Sequence, residues 1–195
     1  PVDAFVITGH KGLLGVPGTG GFFLRDPETI APVRFGGTGT DSLSLLHPRG
    51  MPERFEIGTH NYPGLAALAA GVEFLNETGL ATISEKAEKQ TLFLIRELKK
   101  EENVMIYNDH PDLPIIAFNI KGLQNDDVGF MLARGFNIIA RTGLHCAPLL
   151  HKAIDGGEGC VRISHSWFTT DEECRIAADA MREIARNADS TVGQA

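Results

Sequence analysis

The rhythm of hydrophobic and polar positions changes several times along the chain. Residues 4–7 (AFVI) form a short apolar run without alternation, the pattern of a strand covered on both faces in a parallel sheet. The run ends in Thr8-Gly9-His10-Lys11, a polar cluster of the kind found at the C-terminal edge of such a sheet. No segment precedes this strand to pair with it. The chain therefore reads as beginning inside a domain whose earlier half lies elsewhere, with an N-terminal edge strand of a complete small domain as the plainer alternative. Residues 21–25 (GFFLR) predict a second strand, stopped by Asp26-Pro27. Residues 32–61 are irregular and rich in Gly, Pro and Thr, and irregular stretches this long in a compact domain are usually functional.

Helical periodicity then takes over. Residues 64–76 predict a helix rich in alanine and leucine, and Gly79 interrupts it. A second helix runs to Lys100 with the stripe Leu80, Ile83, Ala87, Leu94 and Leu98, close to a 3.6-residue period. This places a domain boundary near residue 78, dividing the chain into 1–78 and 79–195. Beyond Asn103 the pattern predicts strands at 104–107, 115–119, 136–141 and 161–165, and a short helix over 126–134 closed by Gly135 as its C′ residue. Residues 142–160 read as a loop with one helical turn. Thr170 and Glu173 form a capping box for a last helix, whose stripe is Cys174, Ala177, Met181, Ile184 and Ala188. The polar tail from Asp189 is expected to fray.

Composition narrows the class. A length of 195 residues allows one large domain or two small ones, at roughly 150 residues each. Hydrophobic residues at 43% and charged residues at 22% exclude wholesale disorder. No apolar run approaches the ~18 residues of a membrane helix. Lys+Arg total 18 against Asp+Glu 25, a net charge of −7 without a basic run, which argues against nucleic acid or an anionic membrane as partner. Cys146, Cys160 and Cys174 are sparse, odd in number and free of a CxxC pair. That argues against a disulfide scaffold and against a thiolate metal site, and for a reducing compartment such as the cytoplasm.

Five stretches could carry chemistry. Lys11 lies in TGHKGLLGVPGTGG. A lysine at a sheet edge can be desolvated, which lowers its pKa and frees its amine for Schiff-base chemistry, and Thr8 and His10 beside it could hold a phosphate. A surface lysine after a glycine-rich turn is the plainer reading, and no GK[ST] is present to make a P-loop. Residues 36–42 (GGTGTDS) could bind an anion or form a plain loop. In FEIGTHN, Thr59 could reach a phosphate and Asn61 is a candidate N-cap. In RTGLHCAP, Cys146 lies beside His145 and near Arg141, the setting of a reactive thiolate, although a lone cysteine is more often a small buried hydrophobe. Cys160 and Cys174 read as such hydrophobes. Arg162, inside the strand VRIS, suits a bidentate carboxylate clamp or a surface ion pair.

Taken in order, TGHK, GGTGTDS, FEIGTHN, RTGLHCAP and VRIS resemble the C-terminal half of class V aminotransferase-family enzymes, nearest to the cysteine desulfurase and selenocysteine lyase branch. The resemblance runs from Val2 to about Ala188. It implies an α/β chain, the C-terminal part of the aspartate-aminotransferase-like fold: a remnant of the large parallel-sheet domain that binds pyridoxal 5′-phosphate (residues 1–78), plus a small α+β domain (79–195). It implies that Lys11 links to the cofactor and shuttles the substrate Cα proton, that Thr8 and His10 contact its phosphate, and that Thr59 reaches the phosphate of the partner subunit in a homodimer. Cys146 matches the cysteine that attacks substrate sulfur to give a persulfide, Arg162 the arginine that holds the substrate carboxylate, and Arg141 lines the same pocket. His145 takes no role beyond proximity, and no metal is implied. The substrate would be L-cysteine or selenocysteine, with a sulfur-acceptor protein as a further partner.

The match also has gaps. Family members are about twice this length, and the ring that stacks on the cofactor and the aspartate that pairs with its pyridine nitrogen come from their earlier half; Asp3 is not its equivalent. Leu144 stands where the commonest desulfurase spelling has a second histidine. The alternatives are another class V enzyme, an aminotransferase or β-lyase in which Cys146 is dispensable, or a non-catalytic structural piece. A nucleotide-binding module rests only on glycine-rich loops without GxGxxG.

Overall fold

A computed structural model describes residues 1–40, 43–110 and 112–192. The chain divides into two compact units, Pro1–Leu80 and Ala81–Ala195.

In the first unit, β1 (Ala4–Thr8) pairs with β2 (Gly20–Leu24) in register from Ala4 opposite Leu24 to Thr8 opposite Gly20. The pairing is antiparallel, whereas the apolar run of β1 pointed to a parallel neighbour. The segment 9–19 explains the reversal, since a parallel crossover takes about a dozen residues or more. An antiparallel edge strand on an otherwise parallel sheet is a common arrangement. All five β1 residues are exposed rather than covered, with Phe5 stacked on Phe23 across the pair. A single 3-10 turn follows at Pro27–Thr29, capped by Asp26. The irregular stretch then leads to α1 (Tyr62–Thr78), whose N-cap is Asn61: its side-chain oxygen accepts from the Gly64 N–H at 3.1 Å. Gly79 ends α1 at a φ of 87°, and α2 (Leu80–Leu98) begins at the next residue.

The second unit is built on a three-stranded antiparallel sheet of order β3-β4-β5: Val104–Ile106, Ile115–Ile120 and Val161–Ser164. Alternation along β4 buries Ile116, Phe118 and Ile120. Against them pack Leu94, Ile95 and Leu98 of α2, Val128 and Leu132 of α3 (Asn125–Phe136), and Cys174, Ala178, Met181, Ile184 and Ala185 of α5 (Asp171–Val192). Only the C-terminal part of the α2 stripe is deeply buried; Leu80 is exposed. The α5 capping box forms in full: the Thr170 N–H donates to Glu173 Oε2 at 2.7 Å and the Glu173 N–H to Thr170 Oγ1 at 3.1 Å.

The α3 helix continues past Gly135 and ends at Asn137, which takes the left-handed conformation at a φ of 56°. Asparagine tolerates that region, and Phe136 packs on the core, so one more step of helix is favoured. Residues 136–141 form no ladder strand. Ile138 and Ala140 lean on the core while Ile139 is exposed, and only Arg141 pairs, through an isolated bridge to Arg162. The α5 helix reaches Val192, so the fraying expected from Asp189 concerns residues that are helical up to that point; 193–195 lie outside the described residues.

Candidate active-site groups

In the first unit, Lys11 follows β1 in a tight turn. The Gly9 N–H donates to Thr19 O at 3.0 Å, Gly15 N–H to Gly9 O at 2.9 Å, and Leu14 N–H to Lys11 O at 2.9 Å. A Cβ at Gly9 would collide with Thr19, so the turn closes this tightly only with glycine there. Thr8, His10 and Lys11 are all exposed. The desolvation that the sheet-edge position suggested for Lys11 is not provided within the unit. The Gly58 N–H donates to Gly37 O at 2.7 Å, tying the FEIGT stretch to the GGTGT stretch, and Thr59 is exposed next to that tie. Asp41 and Ser42 of the GGTGTDS reading lie outside the described residues. An amine, two hydroxyls and an imidazole suit the carbonyl and phosphate of a pyridoxal-type group. The carboxylate on the same strand, Asp3, does not complete the set: it lies at the other end of β1 and is paired with Arg25 at 3.3 Å.

In the second unit, the RTGLHC segment is stitched to β5 and its approach. Arg141 and Arg162 exchange backbone hydrogen bonds at 3.1 and 2.7 Å, and Gly143 and Cys160 do so at 3.1 and 3.2 Å. Gly159 and Gly143 make this possible. Both have positive φ, 83° and 88°, and a Cβ on Gly159 would come within 2.7 Å of the Gly143 backbone. His145 and Cys146 then both turn left-handed, at φ 51° and 61°, which lifts the Cys146 thiol to the surface. There an Arg141 Nη2–H donates to Cys146 Sγ at 3.3 Å. Directly paired residues of an antiparallel ladder share a face, so Arg141 and Arg162 put two guanidiniums on one side of the sheet edge. Like charges placed so repel, and an anion between them relieves it. Arg162 Nε is buried without a hydrogen-bond acceptor among the described residues.

Behind the thiol lies a buried polar group. His145 Nε2 meets Arg141 O at 3.2 Å, and its Nδ1 faces His151 Nε2 at 3.3 Å. His151, on α4 (Pro148–Ile154), hydrogen-bonds through Nδ1 to Asp155 Oδ2, and both side chains are almost fully buried. Burial pushes the Asp155 carboxyl up, but hydrogen bonds from His151 and from the Gly157 and Gly159 N–H groups outweigh it and hold the carboxyl below its ordinary range. Burial lowers the His145 imidazole, opposed by its hydrogen bond to the Arg141 carbonyl and aided by the Arg162 and Arg141 guanidiniums. Burial, with the Asp155 charge, pushes the Cys160 thiol up to about 11, so Cys160 is no free thiolate. Burial also raises Tyr107, whose hydroxyl accepts from Asn119 Nδ2 at 3.1 Å.

The fold and these groups lead to the class-V aminotransferase family. The sequence model of that family matches residues 1–176, and the chain belongs to it. Among curated proteins it is 30% identical over 193 residues to a probable cysteine desulfurase of Methanothermobacter thermautotrophicus, covering 94% of this chain and 48% of that one. It is 31% identical over 187 residues to a cysteine desulfurase of Cronobacter sakazakii, covering 92% and 45%. Among solved structures, the apo cysteine desulfurase of Thermococcus onnurineus NA1 superposes with a TM-score of 0.87 at 30% identity, over 95% of this chain and 48% of that one. The Escherichia coli cysteine desulfurase CsdA, at 24% identity, shares the fold with a TM-score of 0.83. The chain spans about half the length of the curated relatives it matches.

The structure thus places Lys11, Thr8, His10 and Thr59 in the first unit, and brings Cys146, Arg141 and Arg162 together in the second. Sequence reasoning did not single out His151 and Asp155. Their spacing of four residues puts them on one helix face, a signal present in HKAID, but one that gains meaning only once burial is known.

Proposed function

We propose that this chain carries the amine and thiol groups of a pyridoxal-phosphate-dependent cysteine desulfurase, which converts L-cysteine to alanine and leaves a persulfide on Cys146. The observation that carries the reading is the Arg141 hydrogen bond to Cys146 Sγ at 3.3 Å, beside strand β5, whose Arg162 has a buried donor free for a carboxylate. Pyridoxal phosphate, when bound, supplies an electron sink for negative charge developing at the substrate Cα. Lys11 is its attachment point, and Thr8, His10 and Thr59 are its phosphate ligands, Thr59 acting in the partner subunit of a homodimer. Lys11 Nζ takes the Cα proton and returns it. Arg162 clamps the substrate carboxylate. Cys146 Sγ, which accepts a hydrogen bond from Arg141, attacks the substrate sulfur as its thiolate. A sulfur–sulfur bond forms, the Cβ–S bond breaks with its electron pair left on the substrate carbon, and protonation there releases alanine. The exposed position of Cys146 suits onward transfer to a sulfur-acceptor protein in the cytoplasm; selenocysteine fits the same chemistry.

The test is Cys146→Ser in the cofactor-loaded protein. Loss of alanine formation from L-cysteine, with cofactor binding intact, is expected. Full turnover in that variant would assign the protein to the aminotransferase or β-lyase chemistry of the same family.

A further inference from the structure

The pair His145 and His151 presents a proton-counting problem. Asp155 and the Arg141 carbonyl can only accept, so His151 carries its proton on Nδ1 and His145 carries its own on Nε2. The two remaining nitrogens, His145 Nδ1 and His151 Nε2, are then both lone pairs, and they face each other at 3.3 Å. Two neutral rings so placed need a positive centre between them, either a proton that makes His151 an imidazolium donating from Nε2 to His145 Nδ1, or a metal cation. The Cys160 thiol reaches His145 Nδ1 at 3.9 Å and can serve only one of the two.

We propose that His145 Nδ1, His151 Nε2 and Cys160 Sγ bind a divalent cation of the zinc type, with Asp155 orienting His151 from behind. The three ligand atoms lie within 4.8 Å of one another. Tetrahedral zinc with ordinary bond lengths sets nitrogens about 3.3 Å apart and nitrogen and sulfur about 3.6 Å apart. The observed 3.3 Å meets the first; for the second, Cys160 Sγ stands 3.9 Å from His145 Nδ1 and within 4.8 Å of His151 Nε2, so the Cys160 side chain must move inward as the ion binds. Two imidazoles and a thiolate are a borderline-soft set that suits zinc over magnesium or calcium. A histidine that donates its other N–H to a buried carboxylate is the usual outer arrangement of a zinc ligand. The thiol proton leaves as the metal binds, so the bound form carries one thiolate and two neutral imidazoles.

The ligands come from three segments, so no CxxC-type spacing marks them in the sequence. His145 lies on the RTGLHC turn, His151 on α4, and Cys160 on the lead into β5, held there by the Gly143 pairing. The ion would tie these segments together one residue away from Cys146, whose own thiol points to Arg141. Three protein ligands leave the fourth position to water or a small ligand.

Cobalt(II) titration of the full chain tests this, because thiolate–cobalt bonds give a near-ultraviolet charge-transfer band. A band saturating at one equivalent and displaced by zinc is expected. It should persist in a Cys146→Ser/Cys174→Ala variant, which retains only Cys160, and vanish in Cys160→Ser. Asp155→Asn should keep the band and weaken metal affinity about 10–100-fold. Absence of the band in the wild-type chain, or its loss in the variant that retains only Cys160 while circular dichroism shows a folded protein, overturns the proposal.

Discussion

Arg141 and Arg162 are paired across the edge of the three-stranded sheet, each backbone N–H donating to the other's carbonyl at 3.1 and 2.7 Å. The pairing sets two cations on one face of a narrow ladder, one of them on Cys146 Sγ and the other with a buried donor to spare. The backbone ladder therefore fixes the spacing at which the two arginines leave the chain.

The two arginines should separate kinetically. Arg162→Lys loses the planar fork and is expected to raise KM for L-cysteine by about tenfold or more, from a charge-assisted hydrogen bond of about 1.5–3 kcal/mol. Arg141→Met is expected to slow alkylation of Cys146 by iodoacetamide several-fold, because the sulfur loses its hydrogen-bond donor. An unchanged alkylation rate, read by mass spectrometry of the Cys146 peptide, would remove Arg141 from that role.

The loop's geometry should be intolerant at Gly159. An alanine there meets the Gly143 backbone and takes an unfavourable φ, so Gly159→Ala is expected to destabilise the second unit by about 1–3 kcal/mol. Urea unfolding followed by the fluorescence of Trp167, the sole tryptophan, measures this.

Acid stability should depend on the carboxylates facing α5. Glu101 accepts from Arg186 and Arg182, at 2.8 and 2.9 Å, and Glu97 pairs with Lys100 and Arg182. The Arg186 hydrogen bond, opposed by burial and reinforced by Arg182, holds Glu101 below the ordinary carboxylate range; Lys100 leads the same effect at Glu97. A folded pKa below the unfolded one means the stabilisation is fully present above the unfolded value, about 4.3, and is lost as pH falls through the folded one. Thermal melts should therefore be insensitive to these groups near neutrality and drop below about pH 4, with a shallower drop in Glu101→Gln. An equal slope in that variant would contradict the linkage.

Much of the second unit could be read from local pattern. The Thr170–Glu173 capping box and the Cys174, Met181, Ile184 stripe are short-range features, and their physics lies within one or two helical turns. What escaped was set by distant partners. The β1 run read as parallel because a continuous apolar run does not specify the direction of its neighbour, and only the short 9–19 connection decides it. Residues 136–141 carried a strand-like run, yet pairing reaches only Arg141. Gly135 looked like the helix stop, but Phe136 gained core contact and Asn137 took the left-handed turn instead. Cys146, Arg141 and Arg162 were legible as residue types; that they share one sheet edge was not. His151 and Asp155 escaped altogether, since a histidine on a seven-residue helix signals nothing until it is known to be buried.

Lys11 should be the attachment point of the cofactor. Borohydride reduction of the chain incubated with pyridoxal phosphate, followed by peptide mapping, is expected to place the pyridoxyl group on Lys11 above any other lysine. Lysines labelled evenly in a folded sample would mean that the exposed Lys11 turn does not select the cofactor.

The central claim is that Cys146 receives sulfur. The cofactor-loaded protein is given L-cysteine, trapped with an alkylating agent, and the peptides of Cys146, Cys160 and Cys174 are weighed. One added sulfur atom on Cys146, absent from the other two and absent from Lys11→Ala, is the expected result. Alanine formed at the wild-type rate with no sulfur on Cys146, or sulfur carried equally by Cys160, would contradict it.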